Sequence, residues 1–122
     1  MIGFTSTPTL GVLPDGKTWK LVNDLEYETG YGVIKIPAGF ETDFASIPRF
    51  FRVVASPATG KHRLAAILHD SLYTDRIFSR GLCDWYFRDA MIRDGVPLWL
   101  AWIMWASVRI GGGGHFKANS TK

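Results

Sequence analysis

The chain has a single cysteine, Cys83, in 122 residues. No internal disulfide can form, and no second thiolate is there to build a cysteine-rich zinc site. This usage fits folding in a reducing compartment. Long apolar runs are also missing. The longest, from Pro97 to Ile110, falls short of the ~20 residues that a membrane-spanning helix requires. The N-terminus, MIGFTSTPTLG, has neither a basic leader nor an apolar central run, so no signal peptide is expected. Basic residues outnumber acidic ones, 14 to 11, but are scattered from Lys17 to Lys122. Without a basic stripe, no nucleic-acid partner is expected. Internal repeats are absent as well.

What is present suits one folded domain. The chain is 47% hydrophobic and 14% aromatic, enough to bury a core without disulfides or metal. The first half reads as β-structure. In TWKLVNDLEYET, Trp19, Leu21 and Leu25 suggest one or two half-buried strands, punctuated by Gly30 and Gly32. In YGVIKIP, Val33 alternates with Lys35 and Ile34 with Ile36, the period of a strand with one buried face. Pro14-Asp15-Gly16 and Pro37-Ala38-Gly39 are turn signals, because proline fixes φ and glycine permits positive φ.

The second half reads as helix. Ser46 is positioned to cap a short helix with Pro48 in its first turn. After Gly60, KHRLAAILHDSLYTDR places Leu64, Leu68 and Leu72 at four-residue spacing. Ser79 caps RGLCDWYFRDAMIRDG, which Gly95 ends. A third helix begins at Pro97 and carries Trp99, Trp102 and Trp105. It is apolar on nearly all sides, which predicts a central helix buried among the others. The alternative is a tryptophan-rich wedge into a membrane interface or a partner. Four glycines, Gly111 to Gly114, then lead into HFKANSTK. The expected fold is α+β: a small N-terminal antiparallel sheet packed on three C-terminal helices over residues 1–110, followed by a glycine-hinged polar tail over 111–122.

The residues with chemical potential lie on the first two of these helices. His69 and Tyr73 are one turn apart and share a face. Asp70 is rotated by about 100° from His69 and can line the same pocket edge. Asp84 opens the pattern D-x-x-F-x-x-x-M with Phe87 and Met91 on its side. If the helices run antiparallel, Asp84 reaches His69. A carboxylate on one imidazole nitrogen fixes the tautomer and leaves the other to take a proton from water. Asp70, with Asp43, is then the natural ligand set for a hard cation. The bland alternative is a hydrogen-bond network that holds helices to a sheet. Other readings are weaker. Ser46, His69 and Asp84 form a Ser-His-Asp set without a nucleophile elbow. His62 with His69-Asp70 and Asp84 echoes the H…HD…D order of metal-dependent phosphohydrolases at compressed spacing. Arg49 can pair with Asp43 or a helix carboxylate. Cys83 is a nucleophile or, more simply, a small buried residue. His115 reads as a solvated tail residue.

The H-D-x-x-Y helix facing a helix with Asp then Phe resembles the catalytic pair of the phospholipase A2 superfamily. That resemblance implies His69 as general base, Asp84 as its orienter, Tyr73 as a hydrogen-bonding support and Asp70 as a calcium ligand. It covers about thirty residues, and the family's glycine-rich calcium loop is not found upstream, where GFETDFASIP stands. A wider pattern runs through GF-x-TDFASIPR, R-x-AA-x-LHD-x-LY, SR…D-x-x-F…AM-x-x-x-GV and VR-x-G. It is similar to a family of small phage and prophage proteins of unknown function. This resemblance implies a virion protein made in the bacterial host cytoplasm, with other phage structural proteins as partners. Two functions follow as expectations: a tail, baseplate or head-tail accessory component, or a phage hydrolase acting on host envelope lipid with calcium or another divalent cation. In the hydrolase, His69, Asp70 and Asp84 should line an accessible pocket. In the virion component they should be buried and internally paired, facing Arg49 or backbone groups.

Overall fold

In the computed structural model the described residues are 3–5, 10–16, 18–43, 63–76 and 78–111. The chain divides into two compact units, Met1–Asp43 and Phe44–Lys122. The described strands lie in the first and the described helices in the second, an α+β arrangement.

The turn residues act in the first unit as their chemistry predicts. Pro14-Asp15-Gly16 joins β2 (Leu10–Val12) to β3 (Trp19–Leu21). Gly16 takes φ +77° and its N–H donates to the Leu13 carbonyl at 2.9 Å. The Asp15 carboxylate accepts from the Thr18 N–H at 2.9 Å and the Thr18 hydroxyl at 2.6 Å, an Asx-type lock on the turn. The hairpin of β4 (Leu25–Glu28) and β5 (Val33–Ile36) is closed by Thr29, whose hydroxyl accepts from the Tyr31 N–H and donates to the Gly32 carbonyl. Leu25, Tyr27 and Ile36 are buried while Val33 and Lys35 are exposed, the expected period of two.

One sheet was expected and two are found. β1 (Gly3–Phe4) joins β4 and β5 in the order β1-β4-β5, and β6 (Glu41–Thr42) joins the other hairpin in the order β2-β3-β6; every pairing is antiparallel. The cause is a pair of bends. The chain breaks between Leu21 and Leu25 and again at Pro37–Gly39, so each stretch feeds one strand to each sheet. The bends are fastened together. Gly39 N–H donates to Leu21 O at 2.8 Å, and Leu21 N–H to Phe40 O at 2.9 Å. Asp24 accepts from the Ala38 N–H at 2.7 Å and lies 3.3 Å from Lys35 Nζ. Those two partners hold its carboxyl below its ordinary value.

The second unit holds α1 (Arg63–Asp75), α2 (Arg80–Arg93) and α3 (Leu98–Gly111). α1 is buried at every position from Leu64 to Tyr73, including the Leu64, Leu68 and Leu72 row. Arg76, at φ +55°, closes it with its N–H on the Leu72 carbonyl. Ser79 caps α2, its hydroxyl accepting from the Leu82 N–H at 3.3 Å. Gly95 at φ +94° stops α2, and the Val96 N–H reaches back to the Met91 carbonyl. Pro97 starts α3 by accepting from the Ala101 N–H.

α2 packs against both α1 and α3 and is the middle helix. The expectation of a central, buried tryptophan helix is therefore corrected. α3 buries only Ala101, Met104 and Val108, while Trp99, Trp102, Ile103 and Ile110 are exposed. A helix laid on one neighbour hides one stripe, and apolarity all round does not reveal which stripe that is. The Ser46–Pro48 helix start and the tail over 112–122 lie outside the described residues.

Gly95→Ala forces a side chain into the left-handed region at the end of α2. It should lower unfolding free energy by about 1–2 kcal/mol. A urea titration checks this, and an unchanged midpoint would refute the role given to this glycine.

Candidate functional site

One turn of α1 separates His69 from Tyr73, so both project from the same side. Asp84, in the second turn of α2, meets both. His69 Nε2 and the Tyr73 hydroxyl each lie 2.6 Å from Asp84 Oδ1. Phe87, one turn beyond Asp84, stacks on the imidazole with ring centroids 4.8 Å apart. α3 supplies the remaining contact. Arg109 Nη1 donates to Asp84 Oδ2 at 3.0 Å. His69 and Asp84 have no exposed surface (0% each) and Tyr73 is buried with them.

A second arginine closes the arrangement. Arg80, one turn before Asp84, donates through Nη2 to the carbonyls of Val108 (2.9 Å) and Arg109. These are orphan acceptors at the C-terminus of α3, where a cation also opposes the helix dipole. Arg80 also bonds the Tyr73 side chain. The group thus ties the three described helices: His69 and Tyr73 from α1, Arg80 and Asp84 from α2, Val108 and Arg109 from α3.

The proton positions follow. Burial pushes the Asp84 carboxyl up, but the hydrogen bonds from His69 and Tyr73, the His69 charge and the Arg109 bond outweigh it and leave the carboxyl below its ordinary value. Asp84 is therefore the acceptor and Nε2 of His69 the donor. Burial, then the neighbouring Asp84, push the Tyr73 hydroxyl well above the usual phenol range, so it stays a donor. Burial, then Asp84, push the Cys83 thiol up to about 12. A thiol so placed carries no thiolate at neutral pH, and Cys83 is the small buried residue of the simpler reading.

The sequence-predicted residues therefore separate. His69, Tyr73 and Asp84 come together. Asp70 is buried next to His69 on α1, and its backbone carbonyl accepts from the Thr74 hydroxyl. Asp43 follows β6 and is exposed, at the end of the first unit. Ser46, Arg49, His62 and His115 lie outside the described residues. Among the described residues, no three His, Cys, Asp or Glu side chains stand together as ligands for a metal ion. Arg80 and Arg109 were not singled out from sequence. The available signal was modest: Arg109 is the one charged residue on the apolar helix α3.

The model of a family described as Protein of unknown function (DUF1353) matches residues 19–108. The match runs from β3 into the last turn of α3 and takes in His69, Tyr73 and Asp84. No curated protein and no solved structure matches the chain.

The lowered Asp84 value has a pH consequence. A carboxylate with a depressed folded pKa stabilises fully above its unfolded pKa and loses that contribution as pH falls through the folded one. The stability gap between the wild type and Asp84→Asn should thus be constant near neutrality and shrink as pH drops below 3.8, the ordinary aspartate value. Urea midpoints for both proteins across that range measure it. A gap that widens on acidification would contradict the assignment.

Proposed function

We propose a non-catalytic role in a bacteriophage particle, as a small tail, baseplate or head-tail accessory component. The chain belongs to the Protein of unknown function (DUF1353) family. That family names no activity, so the reading rests on the chain's own residues.

One observation carries it: the His-Asp group is closed on itself. His69 and Asp84 are fully buried, and the carboxylate is satisfied by His69, Tyr73 and Arg109. That is the arrangement of a clamp between helices, whereas chemistry on a substrate needs an accessible pocket edge. Large apolar side chains lie on the outside of the same unit, as a protein working among neighbours in an assembly requires. The phage setting is supported by the TDFASIPR, LHD-x-LY and D-x-x-F pattern.

A second reading has a specific observation in its favour. Nε2, rather than Nδ1, faces Asp84, and Tyr73 shares the same carboxylate oxygen. This contact fits the roles of orienter for Asp84 and hydrogen-bonding support for Tyr73 that the phospholipase A2 resemblance implies. In that hydrolase Nδ1 would take a proton from water, with Asp84 and Tyr73 holding the ring.

His69→Ala distinguishes the two. In the clamp reading it removes one partner of a buried pair and should cost about 3 kcal/mol of stability. Wild type should release no fatty acid from phospholipid vesicles with calcium present, and the tagged chain should be found in purified particles by mass spectrometry. Ester hydrolysis by the wild type that a folded His69→Ala protein lacks would overturn the proposal in favour of the hydrolase.

A further inference from the structure

α3 has two unlike faces. Ala101, Met104 and Val108 face inward. Trp99, Trp102, Ile103 and Ile110 recur at three- and four-residue spacing on the opposite side, with Trp99 65% and Ile110 88% exposed. No acidic residue occurs anywhere in α3. The stripe continues onto α2. There Trp85 and Ile92 are exposed with Arg88 between them on the same face, and the Arg88 guanidinium lies over Trp102 at 4.2 Å and Trp105 at 5.1 Å. Arg88 thus joins the outer faces of both helices into one surface.

We infer that this α2–α3 surface is where a second copy of the chain docks, two-fold related. Size is the first argument. A tryptophan side chain accounts for roughly 150–250 Å² when buried. Taking the α3 stripe with Leu82, Trp85 and Ile92 of α2, the exposed apolar area approaches ~800 Å², the share each partner contributes to an interface of standard size. That exceeds the largest apolar patch of an ordinary monomer, about 300–600 Å². Charge is the second argument. An anionic lipid surface attracts through cations free to meet phosphates, but each arginine on these helices is engaged. Arg80 bonds the Val108 and Arg109 carbonyls, Arg88 stacks on the tryptophans, Arg93 pairs with Asp89, and Arg109 pairs with Asp84. An apolar stripe that has no acid on α3 and whose neighbouring arginines are engaged suits an identical stripe, because a two-fold brings it against itself with little like-charge opposition.

This inference names a partner for the surface that the virion reading leaves open, and it rests on that reading only for the purpose of the contact. Purified protein tests it by sedimentation equilibrium, with no other phage component present. The wild type should be dimeric, with a Kd in the micromolar range or tighter. Trp99→Lys and Ile110→Lys should each raise that Kd by about tenfold or more while leaving the far-ultraviolet circular dichroism of the folded chain unchanged. Tyr31→Ser, at an exposed hairpin tip of the first unit, should leave it unchanged. A wild type that stays monomeric at ~100 µM, or a dimer indifferent to both lysine variants, would overturn the inference. So would a monomer that binds phosphatidylglycerol vesicles through Trp99. If the chain is monomeric yet present in purified particles, the second copy fails while the virion role stands. A dimer absent from particles gives the converse.

Discussion

The three described helices are organised by one buried carboxylate. Asp84 has no exposed surface, and its two oxygens accept from His69, Tyr73 and Arg109. An ionised group in that position is tolerable only because each partner donates to it, and the loss of any of them leaves a desolvated charge undercompensated. The three donors come from helices on either side of the one that bears the acid. The electrostatic requirement therefore becomes a geometric one, and α1 and α3 must sit where their side chains reach. Arg80 repeats the logic in reverse, with one guanidinium serving the Tyr73 side chain and the carbonyl end of α3.

This constraint explains why a catalytic motif and a structural clamp look alike at the level of residues. Both need the imidazole held through one nitrogen by a carboxylate, and both need that carboxylate oriented by further donors. They diverge in access. Here the ring lies between Tyr73 and Phe87, and no part of its surface meets solvent. The observed orientation is compatible with either role, and the burial of His69 and Asp84 is what supports the clamp reading proposed above.

Local signals in the chain proved dependable. Proline and glycine marked the turns at 14–16, 37–39 and 95 because their backbone preferences act without help from distant residues. The Leu64, Leu68 and Leu72 row marked a buried helix for the same reason. The meeting of His69 with Asp84 was legible from four-residue spacing on two successive helices. What escaped was long-range. Arg109 reaches Asp84 across 25 positions, and no periodicity announces that contact. The bends that divide the strands into two sheets are fastened by Asp24 on Ala38 and by Leu21 on Gly39 and Phe40, again distant pairings. α3 misled for a different reason: an all-apolar helix gives no amphipathic contrast, so its buried face is chosen by which neighbour it meets. Membership of a family of unknown function, read from the wider residue pattern, agrees with the match over residues 19–108.

The central claim is that Asp84 holds His69 through Nε2 in a site closed to water. Nuclear magnetic resonance of the imidazole, with nitrogen labelling, reads this directly. The account predicts a proton on Nε2 of His69, shifted far downfield by the short bond to Asp84 and protected from exchange with solvent. A ring protonated on Nδ1 alone, or an Nε2 proton exchanging as fast as that of an exposed histidine, would contradict it.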